Sequence, residues 1–284
     1  MSKSKQYKII TQGIPGSFHF EATHKYFKDC DLDFVSADSF LQLASGCIQD
    51  KTIDYGVMAI ENSIAGSIIK NYKILRENKF RIIGEIYLPI IHNLMAIKGQ
   101  SIEDIREVRS HPMAINQCLD FLRANDIHKY ITTTDTANSA KIISQNKEKG
   151  VAAIASSLSA DIYNLEILQA SIQSSKVNYT RFFIFQRQGS EVPSGKFDKA
   201  SIYIRTTHQK GSLLKVLEVI YRHDINLSKL QSYPILDNLN KYYFYLDLEF
   251  DTSEQYEKVI PELIEATQEL EILGVYVNGI ATIS

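Results

Sequence analysis

Over the first 188 residues, short apolar runs alternate with polar turns and then with apolar positions at helical spacing. Tyr7-Lys8-Ile9-Ile10 leads to Gly13-Ile14-Pro15-Gly16-Ser17, after which Phe18, Ala22 and Tyr26 recur on one helical face. Residues 55–60 lead to Glu61-Asn62-Ser63 and a helix through Ile74-Leu75. Glu107-Val108-Arg109-Ser110 leads to His111-Pro112, then Ile115, Leu119 and Leu122 on one face. Ile131-Thr132-Thr133 leads to Asp135-Thr136-Ala137 and a helix over 140–143, and residues 151–155 lead to Ser156-Ser157 and a helix over 158–165. Strands alternating with helices predict an α/β layer with mostly parallel strands.

The last 85 residues follow a different rhythm. Residues 201–205 alternate as a strand, and Gly211-Ser212-Leu213-Leu214 opens a helix running to about His223. Residues 226–234 and 241–250 predict two further strands. Asp251-Thr252-Ser253 caps a second helix, and Gly274-Val275-Tyr276-Val277 closes a fourth strand. That order, βαββαβ, is ferredoxin-like. The aromatic density of Tyr242-Tyr243-Phe244-Tyr245-Leu246 predicts a strand covered on both faces, by helices or by a partner's sheet. Between the two regions, Gly189-Ser190-Glu191-Val192-Pro193-Ser194-Gly195 is a run of turn formers suited to a linker.

Composition narrows the function. A chain of 284 residues suits about two domains, and its apolar (44%) and charged (23%) fractions are those of a globular protein. A net charge of −2 lacks the basic footprint of a nucleic-acid binder, so any anionic ligand must be held by local devices. No apolar run reaches the length of a membrane span, and the polar start reads as lacking a signal peptide, which predicts a cytoplasmic protein. Cys30, Cys47 and Cys118 have no metal-ligand spacing and read as reduced thiols; no metal site is expected.

The candidate chemistry sits at the strand–helix junctions, where helix N-termini bind anions without any basic residue. Ser17, Asn62-Ser63, Ser110 and Thr136 occupy four of them. Capping alone accounts for such residues one by one, but Gly16 and Gly66 suggest backbone that approaches a ligand. Glu61 reads either as a carboxylate stabilised by a helix N-terminus or as a catalytic acid, and His111 either as a structural histidine or as a proton shuttle. The run Asn178-Tyr179-Thr180-Arg181-Phe182 puts an amide, a hydroxyl and a guanidinium at the mouth of an apolar strand. A buried arginine there needs a partner. There is no GxGxxG and no Walker-type loop, so nucleotide binding is not supported.

In order along the chain stand Gly13-x-Pro15-Gly16-Ser17-Phe18, Ile60-Glu61-Asn62-Ser63-x-x-Gly66-Ser67, Ser110-His111-Pro112 with Gln117-Cys118, and Asn178-x-Thr180-Arg181-Phe182. This series resembles the prephenate dehydratases, and the C-terminal region resembles the ACT regulatory domain that follows the catalytic domain in that family. The resemblance covers about residues 7 to 280 and, with no chorismate mutase segment before Tyr7, looks like the monofunctional form.

The resemblance implies a bilobal, periplasmic-binding-protein-like catalytic domain over 6–188, a linker over 189–199 and a ferredoxin-like ACT domain over 200–284. It implies conversion of prephenate to phenylpyruvate without a cofactor. Thr180 falls at the position assigned to the departing hydroxyl, Arg181 would grip a substrate carboxylate, and Glu61 completes the catalytic set. Gly16, Ser17, Asn62, Ser63, Ser110, His111, Asn178 and Phe182 would line the cleft. An L-phenylalanine site would involve Gly211, Ser212, Leu213, Leu214, Asn226, Leu227, Gln231, Ser232, Tyr233 and Pro234. There the chain departs from the family's Glu-Ser-Arg-Pro, carrying Gln231-Ser232-Tyr233-Pro234. A homodimer or homotetramer is expected. The alternatives are an arogenate dehydratase, a solute-binding protein and a non-catalytic regulator on the same scaffold.

Overall fold

The computed structural model describes residues 5–190, 196–235 and 238–280. They form two compact units, one holding the chain up to Tyr72 together with Ile86–Phe182, the other holding Lys73–Glu85 together with the chain from Phe183 onward. Residues 191–195 of the expected linker lie outside the described residues.

The first unit opens with β1 (Gln6–Gln12), α1 (Phe18–Tyr26), β2 (Asp31–Ala37), α2 (Phe40–Gln49) and β3 (Tyr55–Asn62). β1 pairs in parallel with β2 and β3. That central place is why Ile9, Ile10 and Thr11 are buried in succession: a parallel strand covered on both faces reads as a continuous apolar run. Ser17 and Ser39 start α1 and α2, their hydroxyls accepting from the N–H groups of Phe20 and Gln42. β3 then turns back through β4 (Gly66–Ser67) before α3 (Ile69–Glu77) begins. Glu61 therefore lies in a strand and not at a helix N-terminus.

After β5 (Phe80–Pro89) the chain crosses to a second sheet. Its elements are β6 (Asn93–Ala96), β7 (Glu107–Ser110), α4 (Pro112–Gln117), α5 (Leu119–Ala124), β8 (Tyr130–Thr132), α6 (Thr136–Asn146), β9 (Val151–Ala155), α7 (Ser157–Tyr163) and β10 (Glu166–Gln169). The strand order is β10-β6-β9-β7-β8, parallel around β7 and antiparallel at β6, so the sheet is mixed. The single helix expected through Ile115, Leu119 and Leu122 is broken at Cys118, whose backbone leaves the helical region (φ −114°, ψ 7°). Ile115, Cys118 and Leu122 still share one buried core with Val108 and Ile154.

β11 (Tyr179–Arg187) brings the chain back beside β3. The two crossings, residues 90–92 and 170–178, run side by side. The Ile90 N–H donates to Asn178 O (2.7 Å) and the Ile172 N–H to His92 O (2.9 Å).

The second unit contains β12 (Lys199–Arg205), α8 (Ser212–Arg222), β13 (Asn226–Ile235), β14 (Asn238–Glu249), α9 (Ser253–Ala266) and β15 (Glu269–Tyr276). The strands run β13-β14-β12-β15, every pair antiparallel. One face packs Ile202, Ile204, Leu246 and Leu248 on Val216, Val219, Val259 and Leu263 of the helices. On β14 the alternate residues Tyr243 and Tyr245 are buried and stack with Tyr203, whose ring lies 3.5 Å beneath the Arg76 guanidinium. Arg76 also pairs with Glu269 and Glu271 at 2.9 Å each. The second covering of this strand thus includes the chain's own residues.

Gly274 pairs with Ile82 of β5, and a Cβ there would stand 2.2 Å from Ile82 O, so only glycine permits that approach. Lys199, 2% exposed, reaches Glu85 Oε1 at 3.0 Å and Glu249 Oε1 at 3.1 Å, while Glu85 also accepts the Gly279 N–H. Removing the ammonium takes a buried cation from beside the buried Glu85 carboxylate. Lys199→Met is expected to lower stability by about 3 kcal/mol in urea unfolding, and Lys199→Met with Glu85→Gln to recover at least half of that loss.

Candidate active site

Between the two sheets of the first unit lies a cavity of about 330 Å³. Its walls combine apolar surface (Phe18, Phe40, Ile68, Ile90, Met113 and Phe182) with neutral polar groups (Ser17, Asn62, Gln117, Thr136 and Thr180). Three histidines, His19, His92 and His111, and one carboxylate, Asp135, also line it; among the described residues no lysine or arginine does.

Strand alternation decides what faces in. On β11, Thr180 and Phe182 line the cavity, while Arg181 between them turns to the other face. There Arg181, 3% exposed, lies 3.8 Å from Glu61 Oε2 and over the Tyr87 ring. β3 does the same: Asn62 faces in and Glu61 faces out. Arg181 and Glu61, expected at the substrate, instead form a partly buried pair behind the sheet.

The inward groups hold one another. Asn62 Nδ2 donates to Thr180 Oγ1 at 3.0 Å and to Asn178 Oδ1 at 2.8 Å. Asn178 Nδ2 donates to Gln117 Oε1 at 3.0 Å, and His92 Nε2 lies 2.8 Å from the same oxygen. Since Thr180 Oγ1 accepts from Asn62, its own O–H remains available as a donor on the cavity side. Gln117, on α4, is a site residue as well, as are His92 and Phe40, for which the sequence pattern carries no cue.

The other expected residues are placed apart. Ser110 is fully buried and spends its hydroxyl on Ile154 O (2.6 Å). Gly16, with φ +92°, offers its carbonyl to the hydroxyls of Ser156 and Ser159 (2.7 and 2.8 Å) and lies tight against Ser159. Its glycine serves packing onto α7. A Cβ on Gly66 would meet open space, so that residue's φ of +82° serves the β3–β4 turn. Ser63 is exposed and exchanges bonds with the Tyr179 backbone. Ser17 and His111 do line the cavity, as caps of α1 and α4. The cap of α6 is Asp135, one residue before the expected Thr136.

In the second unit Ser212 and Leu213 line a separate cavity of about 320 Å³ with His208, Lys210, Tyr242 and Phe244. Gly211 caps α8 with φ +81°, and Leu214 is exposed. Ser232 and Pro234 sit opposite Phe244 and Tyr242 in the β13–β14 register, with Gln231 and Tyr233 alternating between them. Asn226 and Leu227 lie at the other end of β13, opposite Glu249 and Leu248, and do not reach this cavity.

Burial lowers the pKa of His19 to about 3, and desolvation likewise lowers His92 and His111. All three are neutral near pH 7. Desolvation raises Asp135, against backbone N–H groups that favour its charged form. An anion in this cavity would meet the N-terminus of α1 and neutral donors.

His19 Nε2 accepts the Ala59 N–H at 3.2 Å. Unfolding frees the ring to take up a proton that the fold refuses, so stability falls as pH drops from 6.5 toward about 3. His19→Gln, which keeps an acceptor without a titrating group, is expected to flatten that acid limb in urea titrations. Arg181→Gln is expected to lower the melting temperature while the folded fraction keeps KM for substrate within about threefold. A tenfold rise in KM would return Arg181 to the substrate.

A prephenate dehydratase family model matches residues 9–190. An arogenate dehydratase/prephenate dehydratase from Arabidopsis thaliana is 35% identical over 286 residues, 95% of this chain and 71% of that protein. Among solved structures, prephenate dehydratase from Staphylococcus aureus superposes with a TM-score of 0.81 at 28% identity, covering 95% of this chain and 99% of that one. A chain described as a novel type of quorum quenching acylase superposes at 0.85 and 26% identity, covering 96% and 99%. With the family model spanning most of the chain, and the curated relative agreeing over nearly all of it, this protein belongs to the prephenate dehydratase family.

Proposed function

We propose that this protein is the prephenate dehydratase of phenylalanine biosynthesis, and that Thr180 assists the departing hydroxyl. The observation that carries the reading is the Thr180 hydroxyl, held as an acceptor by Asn62 and so left as a donor toward an apolar-walled cavity. Prephenate carries a ring carboxylate, a side-chain carboxylate and a ring hydroxyl. Loss of the ring carboxylate as CO2 sends its electron pair into the ring; the C–O bond to the hydroxyl breaks at the far side, and a proton completes water. Aromatisation supplies the driving force, so the protein's work is orientation and a hydrogen bond to the leaving oxygen. The electron balance requires neither a metal nor a redox cofactor.

The Ser17 hydroxyl and the first turn of α1 offer donors for the carboxylates, His111 offers Nε2–H because its Nδ1 accepts from Met113, and Phe182 backs the ring. Asn62 and Asn178 act on Thr180 rather than on substrate, and Gly16 and Ser63 shape the turns around them. Excluding water from such a cavity strengthens every one of these bonds.

A second reading, arogenate as substrate, is favoured by Asp135: a carboxylate on the cavity wall suits the ammonium that arogenate carries in place of the keto group. We also assign regulation to the βαββαβ region over 200–284, read as an ACT domain, with L-phenylalanine as effector near Ser212, Leu213 and residues 231–234. A homodimer or homotetramer in the cytoplasm is the expected working form; among the described residues, no helix is long and apolar enough to cross a membrane.

Purified protein assayed with prephenate and arogenate in parallel, each with and without phenylalanine, tests the reading. Thr180→Ala is expected to lose at least about 100-fold in kcat on the preferred substrate with an unchanged circular dichroism spectrum. Near-normal turnover in that variant would remove Thr180 from the mechanism, and faster turnover of arogenate would favour the second reading.

A further inference from the structure

The polarity of the whole hydrogen-bonded group around Thr180 can be traced to the main chain. Asn62 Oδ1 accepts the N–H groups of Ile64 (3.0 Å) and Ala65 (2.9 Å), so Asn62 must present its Nδ2 to Thr180 and Asn178. Asn178 Oδ1 is then an acceptor, and its Nδ2 turns to Gln117 Oε1. That oxygen can meet His92 Nε2, 2.8 Å away, only if the ring nitrogen carries the proton. Each assignment follows from the one before it, and the last fixes a histidine tautomer.

We infer that His92 is the positioning residue that closes this relay for the dehydration step. His92 is 3% exposed, stands on the first crossing between the sheets and lines the cavity. Its ring packs edge-on to Phe18 at 5.6 Å, while its Nδ1 is buried with no hydrogen-bond partner among the described residues. Among the described residues, the ring's one hydrogen bond is therefore the one to Gln117. That bond, with the one from Asn178, occupies Gln117 Oε1 twice and leaves the Gln117 amide N–H groups for the cavity. It also keeps Asn178 and Asn62 oriented so that Thr180 Oγ1 stays an acceptor and its proton points at the substrate. A ring that merely filled space against Phe18 would need no such tautomer. The inference rests on the dehydratase reading for its kinetic part and on the hydrogen-bond geometry alone for its tautomer part.

Three measurements on the full chain separate these. His92→Leu, which fills the space without a donor, is expected to lower kcat roughly tenfold to thirtyfold on the preferred substrate, with KM changed by less than about threefold. His92→Gln places an amide N–H at a similar reach and is expected to recover most of that loss. Nitrogen-15 NMR of the wild type is expected to show His92 as the Nε2–H tautomer, and Asn62→Leu, three partners away, to shift it toward a mixture. Wild-type kcat in folded His92→Leu would overturn the inference, as would equal damage in His92→Gln or a tautomer indifferent to Asn62→Leu. Should His92→Leu fail to fold, the glutamine variant and the tautomer still decide. Should the wild type turn over neither substrate, the functional reading falls, and the tautomer alone decides whether the relay exists.

Discussion

The candidate site depends on one amide whose direction the main chain dictates. Asn62 sits where β3 ends, and two N–H groups of the following turn hold its oxygen, so its nitrogen has nowhere to point but into the cleft. From that constraint follow the acceptor role of Thr180 Oγ1, the orientation of Asn178 and the polarity of Gln117. None of these groups carries charge, and burial keeps the neighbouring histidines neutral as well. A dianion in such a cavity meets dipoles already aligned for it, which lose little in reorganising and cost less to desolvate than buried cations would.

Much of this organisation was legible in the sequence. The strand–turn–helix units around residues 7–26, 131–143 and 151–165 were predicted by periodicity, because each strand is an apolar run and each helix begins under a polar cap. The βαββαβ order of the C-terminal region was equally plain. β2 and α2 passed unremarked: β2 is an edge strand with mixed burial, so its pattern carries little signal. With α2 went Phe40, a cavity wall residue.

The site was legible in its members and misread in its facing. Residues 178–182 were singled out as one cluster, yet a strand sends neighbours to opposite sides, so Thr180 and Arg181 cannot both meet one ligand. The same period of two separates Asn62 from Glu61. Ser110 was expected to bind because it ends a strand before a helix; its hydroxyl instead bonds Ile154 O on the adjacent strand, and the imidazole of His111 caps the helix. A cap can be recognised from sequence, but which of two adjacent polar residues performs it depends on backbone direction. His92 gave no local cue, since its role comes from Gln117, 25 residues away and on a different element.

The Gly16 carbonyl, held by two serine hydroxyls, has a mechanical consequence. Together with the Tyr163 hydroxyl on Pro15 O at 2.6 Å, these bonds rivet the turn that starts α1 to α7 on the far sheet. That edge of the cleft is stiff, for parting it means breaking three hydroxyl–carbonyl bonds at once. The start of α1 is therefore tied to both sheets, through the Pro15 and Gly16 carbonyls to α7 and through His19 to the Ala59 N–H of β3, so it acts as a strut across the cleft.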